Sequence, residues 1–179
     1  MAHRITLVPL AAALVLGLTA CGGDESGGSP ATNSTQSTSA SGTHTQLFDP
    51  CTGIPETALT TAGLDPATEQ VGVGGVKQPG WEICGWKGTD YTLGVFSTSG
   101  TVAEFERKPG NVEFQDVTIA GRAGRQFRVD GAAKDQMCDV LFAAGQGLLQ
   151  LTLVNKTAGQ SPCDRLAEVG AAIVPALPM

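Results

Sequence analysis

Hydropathy divides the chain into three regimes. Ile5 to Leu18 is an apolar run, Gly22 to Gln46 holds no aromatic or large aliphatic residue, and from Leu47 apolar positions return with the periods of helices and strands. In the third regime, Pro55 suits a first helical turn and Glu56 to Leu59 continue a short helix that Gly63 can cap. Leu64-Asp65-Pro66 breaks it, and the glycine-rich stretch Val71 to Val76 predicts a poor strand or a mobile loop. From Trp81 the period becomes two. Ile83 to Trp86 form one strand, Lys87 to Asp90 a turn, and Tyr91, Leu93 and Val95 the inward set of a second strand.

Thr101 to Glu104 match a capping box for a short helix that Pro109-Gly110 ends. Two strands follow, Val112 to Ile119 and Arg125 to Val129, turning at Ala120 to Gly124. Cys138, Val140 and Phe142 alternate in the next strand, and Gly145 to Gly147 turn the chain into Leu149, Leu151 and Leu153. Ser161-Pro162 opens a last helix, on which Cys163, Leu166, Gly170, Ile173 and Leu177 share one face. The order helix, hairpin, helix, hairpin, hairpin, helix predicts an α+β domain, an antiparallel β-sheet with helices packed on it.

Composition refines this picture at the N-terminus. Arg4, the apolar run, then small residues follow the order of a secretory signal, and the run is shorter than the roughly 20 residues a bilayer-spanning helix needs. Leu18-Thr19-Ala20-Cys21 resembles the lipobox of bacterial lipoproteins. That resemblance implies cleavage before Cys21, acylation of Cys21 with palmitate-type chains, and a lipid anchor in the membrane. Residues 21–46 then form a disordered Ser/Thr/Gly-rich linker that holds the domain about 25 to 30 Å from the bilayer. Residues 47–179 form the single globular domain.

With Cys21 set aside, four cysteines remain: Cys51, Cys84, Cys138 and Cys163. An even number in an exported domain predicts two disulfides. If the strands at Cys138 and Leu149 form a hairpin and the last helix runs back over it, Cys138 and Cys163 start at the same end of the layer. This favours Cys138 with Cys163 and, by elimination, Cys51 with Cys84. The nested pairing, Cys51 with Cys163 and Cys84 with Cys138, stands close behind.

Charge and residue types exclude several chemistries. Removal of residues 1–20 takes only Arg4 from a chain of 11 basic and 17 acidic residues and leaves a net charge of −7. Such a balance argues against nucleic acid as a partner. Both histidines, His3 and His44, precede the domain, so no Ser-His-Asp or Cys-His site can be built in it. Paired cysteines leave no soft metal ligand, and no Asp-x-Asp-x-Asp loop suits calcium; no metal or cofactor is expected. Glu82, Asp90, Glu113, Asp116 and Asp139 are the acids from which a carboxylate pair could come, although each sits beside a turn or alternates with apolar residues as solvated strand faces do. Arg122, Arg125 and Arg128 form the only basic cluster, suited to an anionic group or an acidic partner patch. Trp81 and Trp86 are candidate binding anchors on opposite strand faces, Trp86 sharing its face with Cys84.

The segments Phe48-Asp-Pro-Cys51, Trp81-Glu-Ile-Cys-Gly-Trp86, Val95-Phe96-Ser97, Val117-Thr-Ile-Ala-Gly121, Cys138-Asp-Val140 and Pro162-Cys163 resemble a family of actinobacterial lipoproteins. The family is designated domain of unknown function three-five-five-eight. The resemblance implies an envelope lipoprotein on the extracytoplasmic face of the membrane and brings no established activity. The fold also looks like that of small lipoproteins similar to the plant photosystem accessory proteins. The resulting expectation is a non-catalytic binding module for an envelope lipid, glycan or protein. The alternatives are a carboxylate-dependent envelope hydrolase and a structural accessory subunit of a membrane complex.

Overall fold

The computed structural model describes residues 46–131 and 133–179; the expected signal segment, Cys21 and the expected linker up to residue 45 lie outside the described residues. The elements run α1 (Pro50–Gly53), α2 (Glu56–Thr61), β1 (Leu64–Val71), β2 (Trp81–Gly88), β3 (Tyr91–Thr98), α3 (Val102–Glu106), β4 (Asn111–Ile119), β5 (Arg122–Val129), β6 (Met137–Ala144), β7 (Gly147–Asn155) and α4 (Pro162–Ile173), with a 3-10 turn at Val174–Ala176. The strands form one antiparallel sheet in the order β1-β2-β3-β7-β6-β5-β4. Two meanders, β1 to β3 and β4 to β7, are thus joined through α3 and closed along the β3–β7 ladder.

Local signals place most of these elements. Thr101 Oγ1 accepts from the Glu104 N–H while the Glu104 carboxylate accepts from the Thr101 N–H at 2.7 Å, so the capping box opens α3 as its sequence predicts. Ser161 caps α4 with Pro162 at its first position. Gly63 follows α2 at φ +72°, the left-handed turn that stops the helix.

Three differences from the sequence reading have physical causes. Leu64–Val71 is a strand rather than a break, because β1 is an edge strand: it pairs only with β2, its register shifts between Asp65 and Gln70, and Pro66 lies in the irregular part. Pro50–Gly53 is an additional helical turn, capped by the Asp49 carboxylate on the Cys51 N–H at 3.0 Å. The β4–β5 turn is shorter than expected, only Ala120 and Gly121, both with positive φ (+48° and +80°). Left-handed conformation at both positions matches the twist of a tight hairpin.

The sheet's two faces differ in cover. On the helix face, Trp86, Leu93, Val140, Phe142, Leu151 and Leu153 are buried with Ile54 of the segment after α1, Leu59 of α2 and Leu166 and Ile173 of α4. On the opposite face, α3 seats Phe105 among Phe127, Leu141 and Leu148, with Trp81 and Phe114 packed against them. Cys51–Cys84 ties α1 to β2 and Cys138–Cys163 ties β6 to the start of α4, with Cα–Cα distances of 5.2 and 5.1 Å. The favoured pairing is the one present. Among the described residues, no helix is long and apolar enough to cross a membrane.

Candidate functional site

Strand alternation decides where each candidate residue sits. Trp86 points to the helix face and is buried, 2% exposed, so it is a core residue and not a binding anchor. Trp81 lies on the other face, half-buried, edge-on to Phe96 at 6.2 Å and to Phe105 at 5.9 Å. Its ring also lies 5.7 Å from the Lys108 ammonium. Trp81 therefore borders the second face rather than standing alone.

The arginines do not cluster. Arg125 points to the α3 face, where it donates to Glu106 at 2.7 Å and to Asp116 at 3.0 Å; its hydrogen bond to Glu106 raises its pKa further. Arg122 and Arg128 take the opposite face, six residues apart and so about 20 Å from each other. Arg122 lies over the Phe142 ring and donates to the Ala143 carbonyl at 2.7 Å; burial lowers its pKa. Arg128 donates to the Lys134 carbonyl. Period two along β5, together with existing partners for each guanidinium, overrides the spacing seen in sequence.

The acids are likewise distributed. Glu82 lies 4.0 Å from Lys77, Glu113 pairs with Lys134 at 2.5 Å, Asp116 with Arg125, and Asp90 occupies the β2–β3 turn. Among the described residues, one grouping of potential metal ligands occurs, Cys51, Glu69 and Cys84. Its sulfurs are joined in a disulfide and offer no thiolate.

What the sheet assembles instead is a transverse row. Register aligns Gln70 of β1, Gly85 of β2, Gly94 of β3, Thr152 of β7 and Asp139 of β6 across neighbouring strands on the face that α3 covers only at one end. The two glycines leave a trench there, with a volume of about 240 Å³. Ile83, Phe96 and Gln150 form the flanking row toward α3; Lys87, Thr92 and Val154 form the row on the other side. The Phe96 ring leans over Gly94, where an added Cβ would meet its edge at 2.8 Å, whereas a Cβ on Gly85 would meet the Leu93 carbonyl at an ordinary 3.5 Å. Gly72 and Val73, from the turn after β1, also line the trench. That turn carries two exposed valines, Val73 and Val76.

At the inner end of the row Asp139 is 1% exposed. Its Oδ1 accepts from Gln150 Nε2 at 2.8 Å and from Thr152 Oγ1, while its Oδ2 is buried without a protein partner. Burial raises the Asp139 pKa against the opposing pull of these hydrogen bonds. A raised folded-state pKa means that the group favours folding when protonated. Its contribution is fully present below the ordinary aspartate value and is lost as pH rises through the folded-state pKa. Asp139→Asn keeps the Oδ1 acceptor and removes the buried charge. The variant should therefore be more stable than the parent at pH 7 by on the order of 1 kcal/mol, with the two converging in acid. Urea titrations between pH 3.5 and 7.5 check this, and a variant less stable at pH 7 would refute it.

Gly85, Gly94 and Thr152 were not singled out from sequence. A signal existed for the glycines: each interrupts an otherwise clear strand, and a two-residue turn at Thr89-Asp90 pairs them directly. Thr152 joins them only through the β3–β7 ladder, which local pattern does not specify.

Residues 16–176 match the model of a family described as Protein of unknown function (DUF3558). No curated protein and no solved structure matches the chain.

Proposed function

The chain belongs to the DUF3558 family, and we propose that it is a lipid-anchored envelope protein whose domain binds a ligand in the glycine-floored trench without turning it over. The trench carries this reading. It is a concave, mainly apolar site with a few polar groups, Gln70 at one end and Thr152 at the other among them, the usual make-up of a small-molecule site. The absence of a catalytic role is supported by the five candidate acids: Glu82, Glu113 and Asp116 each have a cationic partner, Asp139 has hydroxyl and amide donors, and Asp90 lies in a turn. The anchor is supported by the sequence around Cys21, and the disulfides fit an oxidising compartment.

Native mass spectrometry of the full chain exported by a bacterial host, beside a denatured control, tests the binding reading. A non-covalent added mass in the parent that is missing from Gly85→Leu, whose side chain fills the trench, is the expected result. A bare mass in the parent, or an added mass retained by Gly85→Leu, refutes it. For the anchor, Cys21→Ala should move the protein from the membrane fraction to the soluble exported fraction; a variant still in the membrane pellet would overturn that part.

A further inference from the structure

We propose that the trench takes a single unbranched hydrocarbon chain ending in a hydrogen-bond donor, a hydroxyl or an ammonium group, which is received at the Thr152 hydroxyl, with Asp139 buried behind it. The inference rests on the reading of the trench as a binding site and adds the class of ligand.

Width comes first. The flanking rows through Ile83 and Lys87 are four residues apart on β2, about 13 Å between backbones, and after both rows of side chains take up their own thickness there is room for about one polymethylene chain in contact with each. Length follows from the strands crossed. From Gln70 on β1 to Thr152 on β7 are three inter-strand steps, about 14 Å, the reach of roughly ten methylene groups. The floor has no side chain at Gly85, so a chain lying across the strands rests there on backbone; at Gly94 the Phe96 ring takes the place of a side chain, 2.8 Å from where a Cβ would stand, and the chain passes over that ring toward Thr152. A branched or fused-ring ligand is wider than this slot.

The end of the row sets the head group. Thr152 Oγ1 gives its proton to Asp139 Oδ1, and Gln150 Nε2 donates to both Asp139 Oδ1 and Thr152 Oγ1. With Asp139 in its ionised form, every donor of this trio is thereby directed inward. What remains at the trench end is acceptor capacity: the second lone pair of the Thr152 hydroxyl, and behind it the buried Asp139 Oδ2 that has no partner. A ligand that donates to the Thr152 hydroxyl satisfies it. One that only accepts leaves it unpaired and costs binding on that account.

The full chain carrying Cys21→Ala, so that its own acyl chains cannot compete, is titrated calorimetrically with 1-decanol, decylammonium and methyl decanoate. The proposal expects one-to-one binding of decanol and decylammonium, with methyl decanoate at least about tenfold weaker. Decanol guards against a general attraction of cations to an acidic protein. Gly85→Leu should abolish binding of all three with an unchanged near-ultraviolet circular dichroism spectrum. Gly85→Ala, which the backbone accommodates, should weaken binding, so the result stands even if the leucine variant folds poorly. Thr152→Val should bring decanol and methyl decanoate to similar affinity. Equal binding of decanol and methyl decanoate by the parent, or decanol binding indifferent to both Gly85 variants, overturns the proposal. If none of the three probes binds while the parent still carries an added native mass that Gly85→Leu lacks, the ligand class is wrong and the binding reading survives.

Discussion

Replacing Cys138 and Cys163 together with alanine should cost about 3.5 kcal/mol of folding stability, and replacing Cys51 and Cys84 should cost nearly the same. The bridges close segments of 25 and 33 residues, and in the chain-entropy account the penalty grows only with the logarithm of that length. The two losses should therefore lie within a few tenths of a kcal/mol of each other. Their structural consequences differ. Cys138–Cys163 holds the start of α4 to a central strand, and α4 supplies Leu166 and Ile173 to the main core. Cys51–Cys84 holds a four-residue helix to β2 near the edge of the sheet. Hydrogen exchange in the first variant should spread along α4 and β6; in the second it should stay with α1, α2 and β1. Removing both bridges sums to about 7 kcal/mol, which falls within the whole stability of an ordinary domain and should leave the chain substantially unfolded at 37 °C. Urea titration of the three variants decides the matter, and a loss under about 1 kcal/mol for either pair would refute it.

How far the fold was legible depended on how local its determinants are. The β2–β3 hairpin, the capping box at Thr101 and Glu104, and Ser161-Pro162 before α4 are each specified within a few residues, and each is present as read. β1 was not legible, because its strand conformation is imposed by pairing with β2 while its own sequence carries Pro66 and a register shift. Sheet order was legible only in part. Hairpins give β2 beside β3, β4 beside β5 and β6 beside β7, but the insertion of β7 between β3 and β6 depends on contacts far apart in sequence. The candidate site suffered from the same cause. Its glycines come from one hairpin, its threonine and aspartate from another, and their alignment exists only once the β3–β7 ladder forms. Arg122, Arg125 and Arg128 erred in the other direction: of these neighbours in sequence, Arg125 is parted from the other two by the alternation of the strand, and Arg122 from Arg128 by its length.

Trp86→Ala should destabilise the domain by about 3 to 5 kcal/mol, and Trp81→Ala by clearly less, about 1 to 2. The two residues look equivalent in the segment Trp81 to Trp86, and both resemble the aromatic anchors of binding surfaces. Their separation by five positions on one strand puts them on opposite faces. Trp86 meets the helix-covered core, fully enclosed with its cross-strand partner Leu93, so truncation leaves a cavity that close-packed neighbours fill only in part. Its indole Nε1 is buried without a protein partner, which makes the ring's apolar bulk its contribution to folding. Trp86→Phe, which removes that donor and part of the volume, should therefore recover most of the loss. Trp81 keeps part of its surface in water and touches Phe96 and Phe105 edge-on, so its removal leaves a gap open to solvent rather than an enclosed cavity. Because Phe96 also forms the trench wall, Trp81→Ala should loosen decanol binding while leaving most of the stability, whereas Trp86→Phe should leave binding unchanged. Paired thermal melts and calorimetric titrations read both quantities. A larger stability loss at Trp81 than at Trp86 would mean that the assignment of the two sheet faces is wrong.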